Sequence, residues 1–236
     1  GPGLREVAWA PASKHVVFGD GTSLWWMRAD GSGQPQRILE KAANPRPFSV
    51  GPDGQVVYTA FGNQGLPDIS VVRLDLSDPE HPKASPPELF LGEPTVEVDP
   101  VISPDGKFIA YASTELGPNE LFVRLYPGPG GKWKISLAGG KFPVWSRAKK
   151  ELFFLAADNR IMVVSYTTEG NSFVAGRPRV WSPTPIRRDG VRNSFDIAAD
   201  GTRAVVFPPP PPGQSEGSLH ATFLLNFFDD VRRRIP

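Results

Sequence analysis

Between Val98 and Leu137 short apolar runs alternate with turn residues, and the pattern predicts four strands. Pro100 to Ile102 and Phe108 to Ala112 flank Ser103-Pro104-Asp105-Gly106, and Asp-Gly is a pair that accepts the positive φ of a tight hairpin. Leu116-Gly117-Pro118-Asn119 precedes the run Leu121 to Tyr126, and Pro127-Gly128-Pro129-Gly130-Gly131 separates that run from Trp133 to Leu137. The middle runs, Phe108-Ile109-Ala110-Tyr111 and Leu121-Phe122-Val123, are continuously apolar, which requires cover on both faces. A four-stranded unit cannot cover itself on both sides, so copies of the unit must do so.

The copies are found by anchoring on the Pro-Asp-Gly turn. Related turns stand at Pro11-Ala12-Ser13, Pro52-Asp53-Gly54, Pro104-Asp105-Gly106, Arg147-Ala148-Lys149 and Ala199-Asp200-Gly201, with successive spacings of 41, 52, 43 and 52 residues. Periods of about 40–50 residues with four strands each are the signature of a β-propeller. The first unit predicts strands at Val7–Ala10, His15–Phe18, Ser23–Met27 and Gln36–Leu39. The second predicts Phe48–Val50, Val56–Ala60, Ile69–Leu74 and Glu88–Leu91, with Asp75 to Pro87 as a Pro- and charge-rich surface loop. The fourth predicts Pro143–Ser146, Glu151–Ala156, Arg160–Tyr166 and Arg179–Ser182. The fifth predicts Ser194–Ile197, Arg203–Phe207 and Ala221–Phe227, with Pro208 to Pro212 as a stiff connector and no fourth strand. The expected architecture is an all-β propeller of five recognisable blades, about 4–40, 44–92, 97–138, 141–183 and 191–228, in one domain from 4 to 236. A six-bladed ring follows if an upstream segment is missing, and the incomplete last blade leaves an edge at which self-association is expected.

Composition agrees with this picture. The 236 residues include 24 Gly and 27 Pro, too many for a helical protein, and no apolar pattern of helical period appears. Lys and Arg number 26 against 25 Asp and Glu, interspersed, which argues against a nucleic-acid or membrane-surface footprint; the Arg232-Arg233-Arg234 tail is read as a solvated end. Cysteine is absent, and with it disulfides, thiolate nucleophiles and zinc knuckles. No run approaches the length of a membrane span, and Gly1-Pro2-Gly3 reads as a protease scar on a piece of a longer protein.

The residues then match a known repeat. ISPDGKFIAYAS, NELFVRLYPGPGGKWKISLAGGKFPVWS and ELFFLAADNRIMVVSY resemble the TolB-type, WD-like propeller repeat. More narrowly, they resemble the propeller at the C-terminal end of bacterial transmembrane serine/threonine kinases. The likeness runs from Val7 to Phe227, and the family commonly has six blades where five turn sites are found here. The resemblance implies a non-catalytic binding or sensing module, extracytoplasmic and tethered by an upstream transmembrane segment, with no cofactor. It equally allows a protein-interaction scaffold like the Tol-system propeller, or a propeller glycosidase or lactonase.

The chemistry in the chain favours binding over catalysis. No kinase signature and no Gly-x-Ser-x-Gly elbow is present, and the lysine of Gly128-Pro129-Gly130-Gly131-Lys132 is followed by Trp133 rather than Ser or Thr. His15, His81 and His220 stand in different units with no metal-ligand spacing. Glu6, Glu97, Asp99 and Asp196 lie on or before innermost strands, where a glycosidase would keep its acid pair, but are read as isolated strand-end carboxylates. Trp9, Trp25, Trp26, Trp133, Trp145 and Trp181 are read as wedges between blades. In a propeller the segments entering the innermost strands converge on one rim of the central channel. Arg46, Lys141 and Arg192 are therefore the expected contacts for an anionic ligand or acidic peptide, with Asp99 and Asn193 orienting it.

Overall fold

The Pro-Asp-Gly hairpins form as their chemistry dictates. In the computed structural model, which describes residues 6–62, 64–187 and 193–206, the Ser103 carbonyl accepts the Gly106 amide at 2.9 Å and the Ser103 hydroxyl accepts the Phe108 amide at 3.0 Å. Gly106 has φ +72°, Gly54 +75° and Gly201 +70°. A Cβ on Gly54 would also stand 2.3 Å from the Leu74 carbonyl oxygen, so both backbone and space require glycine there.

Each hairpin opens a blade. The first is β1 (Val7–Trp9), β2 (His15–Gly19), β3 (Leu24–Arg28) and β4 (Gln36–Leu39), paired in that order. The second is β5 (Arg46–Val50), β6 (Gln55–Phe61) and β7 (Pro67–Asp75), with β8 (Lys83–Ala84) and β9 (Glu88–Leu91) both pairing β7. The third is β10 (Glu97–Ile102), β11 (Phe108–Ser113), β12 (Glu120–Leu125) and β13 (Lys132–Lys134). The fourth is β14 (Lys141–Trp145), β15 (Glu151–Leu155) and β16 (Ile161–Glu169), with β17 (Ser172–Ala175) and β18 (Arg179–Ser182) both on β16. The fifth has β19 (Phe195–Ile197) and β20 (Ala204–Val206) among the described residues; the strand expected at Ala221–Phe227 lies outside them.

The core is divided among the seams between consecutive blades. Phe108 and Ala110 of β11 join the cluster with Trp145, Leu152 and Phe154 of the fourth blade, while Ile109 and Tyr111 of the same strand join Val57, Ile69 and Val71 of the second. This is why β11 is buried at every position and reads as a continuous apolar run. Val17, Leu24 and Trp26 meet Val56 and Tyr58 in the first seam, and Phe153, Leu155 and Val163 meet Ile186 and Phe195 in the last.

Two expectations are corrected. The segment Asp75 to Pro87 is not a plain surface loop: β8 pairs β7, and residues 79–80 fold over the first blade. The Trp26 indole N–H donates to the Pro79 carbonyl at 2.9 Å, Gln36 donates to the Glu80 carbonyl, and the Glu80 carboxylate pairs with Arg28 at 3.0 Å and lies 3.4 Å from His15. A buried indole N–H needs such an acceptor, which the insertion supplies. The tryptophans also do not all act as wedges. Trp26 and Trp145 are sealed in seams, but Trp9 is 55% exposed and, with Val7, lies on the face of the first blade that no other blade covers among the described residues.

Candidate binding site

All innermost strands run in the same sense, so their first residues share one rim. Arg46 begins β5 opposite Thr59, Glu97 begins β10 opposite Ser113, and Lys141 begins β14 opposite Leu155. The strands reach this rim through bulges. Register shifts between Val98 and Val101 and between Lys141 and Val144, and the skipped residue is in each case left-handed and followed by proline: Asp99 at φ +57° before Pro100, Phe142 at φ +54° before Pro143. Proline has no N–H to lose from the ladder, so the bulge forms at small cost and bends the strand toward the channel.

The bulges link neighbouring blades. The Phe142 amide donates to Asp99 Oδ2 at 3.4 Å, and the Trp145 indole donates to the Val101 carbonyl at 3.1 Å. Asp99 is thus buried, with its carboxylate turned into the seam between the third and fourth blades. In the seam between the second and third blades the Ser49 hydroxyl accepts the Ile102 amide at 3.0 Å.

Carboxylates crowd the rim beside the second blade. Arg46 Nη1 lies 3.8 Å from Glu6 Oε1. Glu97 is 1% exposed; Thr95 and Ser113 hydroxyls face its Oε1, and its Oε2 is buried with no hydrogen-bond partner. Burial first, and then the charges of Asp68 and Glu93, push its pKa above the ordinary glutamate value.

The rim turns basic one blade further on. Lys141 lines a cavity of about 170 Å³ with Pro118, Asn119, Gly139, Gly140 and Leu155. No carboxylate among the described residues lies within ion-pair distance of its ammonium, which instead sits 5.9 Å from the centroid of the Phe142 ring. Asn119 Oδ1 in the same wall is buried and has no hydrogen-bond partner. The adjacent Glu120 does not compete for Lys141. Burial alone would raise its pKa, but the Ser136 hydroxyl, Lys134 at 3.1 Å and the Gly139 amide at 3.0 Å occupy its carboxylate and hold the pKa low. A small cavity with an uncommitted ammonium suits a carboxylate or phosphate group.

The structure therefore brings Lys141 to a pocket, holds Arg46 beside Glu6 on the same rim, and buries Asp99. Asn193 is exposed just before β19, and its side-chain oxygen accepts the Phe195 amide at 3.1 Å; Arg192 lies outside the described residues. Asn119 and the Gly139-Gly140 pair escaped the sequence reading, although Leu116-Gly117-Pro118-Asn119 had marked one of the two loops as a turn. Elsewhere, the His15 ring stacks on Trp26 at 4.8 Å and His81 Nδ1 lies 3.0 Å from Asp78, while His220 lies outside the described residues. Among the described residues no group of three or more His, Cys, Asp or Glu could hold a metal ion.

No family model matches the chain, and no curated protein matches it in sequence. Solved structures do. TolB from Acinetobacter baumannii aligns with a TM-score of 0.51 at 18% identity, over 86% of this chain and 53% of that one. A gluconolactonase from Xanthomonas campestris aligns at 0.56 and 14% identity, over 84% and 67%. The β-propeller domain of Cps50 (Swd1) from Myceliophteria thermophila aligns at 0.52 and 11%, over 75% and 58%. The chain has the β-propeller fold that these proteins share. It spans about half the length of that TolB chain. At these identities the likeness establishes fold and leaves chemistry to the site.

Proposed function

We propose that this propeller is a non-catalytic binding module that takes an acidic peptide or a small anion at the rim of its central channel. The observation that carries this is Lys141: it lines a rim cavity with Asn119, Gly139 and Gly140, and its ammonium has no counter-charge among the described residues. Arg46 and Arg192, on the entries to the second and fifth innermost strands, would extend the contact along an acidic segment. On this reading the module senses ligand outside the cytoplasm for a membrane-anchored serine/threonine kinase. The repeat's resemblance to the propellers of such kinases supports that context, and the TolB likeness is compatible with an extracytoplasmic site. No helix among the described residues is long and apolar enough to cross a membrane.

The test is calorimetric titration of an Asp/Glu-rich decapeptide into the protein and into Lys141→Ala. Loss of one charge-assisted contact weakens binding by about 1.5–3 kcal/mol, or roughly tenfold to a hundredfold, and raised salt should weaken the parent further. Binding that is equally tight in Lys141→Ala overturns the proposal, as does failure of the parent to bind any acidic peptide.

A further inference from the structure

A second cavity, on the outer side of the ring, is larger than the one at Lys141. It occupies about 300 Å³ in the cleft between the second and third blades. One wall is β9, which contributes Glu88, Leu89 and Phe90; the other is the end of β12 and the turn after it, which contribute Arg124, Tyr126 and Pro127. This volume lies at the lower end of the range for small-molecule sites and is about ten times the share of one liquid water.

The lining is sorted by chemistry. Leu89 is 66% exposed, and the rings of Phe90 and Tyr126 meet edge to face at 5.6 Å, which makes an apolar floor open to solvent at Leu89. Glu88 and Arg124 stand on opposite walls. They are not within ion-pair distance of each other, and neither has another ion-pair partner among the described residues. The Tyr126 hydroxyl is buried with no hydrogen-bond partner, in a residue only 4% exposed. The Arg73 guanidinium lies over the Tyr126 ring, 5.4 Å from its centroid, and bears on the phenol hydroxyl. Burial first drives that phenol's pKa up, against Arg73 and with the help of Glu88, so the hydroxyl remains a donor at neutral pH.

Two opposite charges held apart across an apolar floor, with a phenol hydroxyl in the same lining, describe the complement of a zwitterion. We propose that this cleft binds an amino acid or dipeptide with an apolar side chain: its ammonium on Glu88, its carboxylate on Arg124 with the Tyr126 hydroxyl donating to it, and its side chain on Leu89 and Phe90. Arg presents its donors in a fork suited to a carboxylate, whereas Glu accepts from an ammonium. This site is separate from the rim and carries its own test.

The experiment is calorimetric titration of L-phenylalanine and of Leu-Phe, which share the end groups and differ in the span between them. N-acetylphenylalanine lacks the ammonium and phenylalaninamide lacks the carboxylate. We expect at least one zwitterion to bind, and each blocked compound to bind about tenfold or more weakly. In Glu88→Gln, at an exposed position, the preference over the acetylated compound should vanish; in Arg124→Gln the preference over the amide should vanish. The far-UV spectrum of each variant checks the fold, and Glu88→Gln alone suffices if Arg124→Gln does not fold. Absence of binding by both zwitterions at about 10 mM overturns the proposal. Equal binding of the blocked compounds, or unchanged affinity in Glu88→Gln, does the same.

Discussion

Trp145→Ala tests the claim that the seams, rather than the individual sheets, hold this protein together. Trp145 is 7% exposed; its ring meets Tyr166 edge to face at 5.1 Å and Phe173 at 6.1 Å, and its indole donates to the Val101 carbonyl across the seam. Truncating a buried tryptophan costs about 3–5 kcal/mol in transfer and cavity terms. The Val101 carbonyl left without its donor adds about 1 kcal/mol. The sum, about 4–6 kcal/mol, is a large share of the roughly 5–15 kcal/mol available to a folded domain. At about 2–4 °C per kcal/mol for a chain of this size, the midpoint of melting should fall by about 8–24 °C. Trp9→Ala is the matched control: the same truncation at a residue 55% exposed should change stability by about 0.5 kcal/mol or less. Urea unfolding followed by far-UV circular dichroism gives both numbers. A loss below about 1 kcal/mol at Trp145, or an equal loss at Trp9, would refute the reasoning.

Glu97 sets a pH dependence with a definite sign. Its folded-state pKa is raised, so its contribution is fully favourable below the unfolded-state pKa and is lost as pH rises through the folded value. Glu97→Gln should therefore stabilise the protein at pH 7 by on the order of 1 kcal/mol, the scale of one unpaired buried polar atom. That gain should shrink toward acid pH in parallel melts, and a gain independent of pH would contradict the assignment. If the binding reading holds, the chain should also not hydrolyse gluconolactone, despite its fold likeness to a gluconolactonase. Acid release in a pH-stat that disappears in Asp99→Asn would overturn this.

The blades were legible because their signals are local. A continuous apolar run such as Phe108 to Ala112 reports burial on both faces, and Asp-Gly reports the hairpin, whatever lies elsewhere in the chain. What the sequence hid depends on distant partners. The sequence pattern places strands from Pro100 and from Pro143. The strands in fact begin earlier, at Glu97 and Lys141, and carry the prolines in bulges whose geometry depends on the next blade. The hairpin β17 was missed for a similar reason: Phe173 makes sense only beside Phe108, Trp133 and Tyr166, two of them from another blade. At the rim, charge and strand position single out Lys141, which lines a cavity, but the burial of Asp99 follows from a left-handed backbone that its identity does not announce. Asn119 was silent because an unpaired oxygen can be recognised only in three dimensions.

The most direct test of rim binding is to map the contact itself. An Asp/Glu-rich decapeptide titrated into ¹⁵N-labelled protein should shift the amides around the Lys141 cavity, at 119, 139–141 and 155–157, with smaller shifts at Arg46. The amides of the Pro-Asp-Gly hairpins on the opposite rim, such as 105–107, should stay still. Shifts confined to that opposite rim, or none at any peptide concentration, would contradict the account.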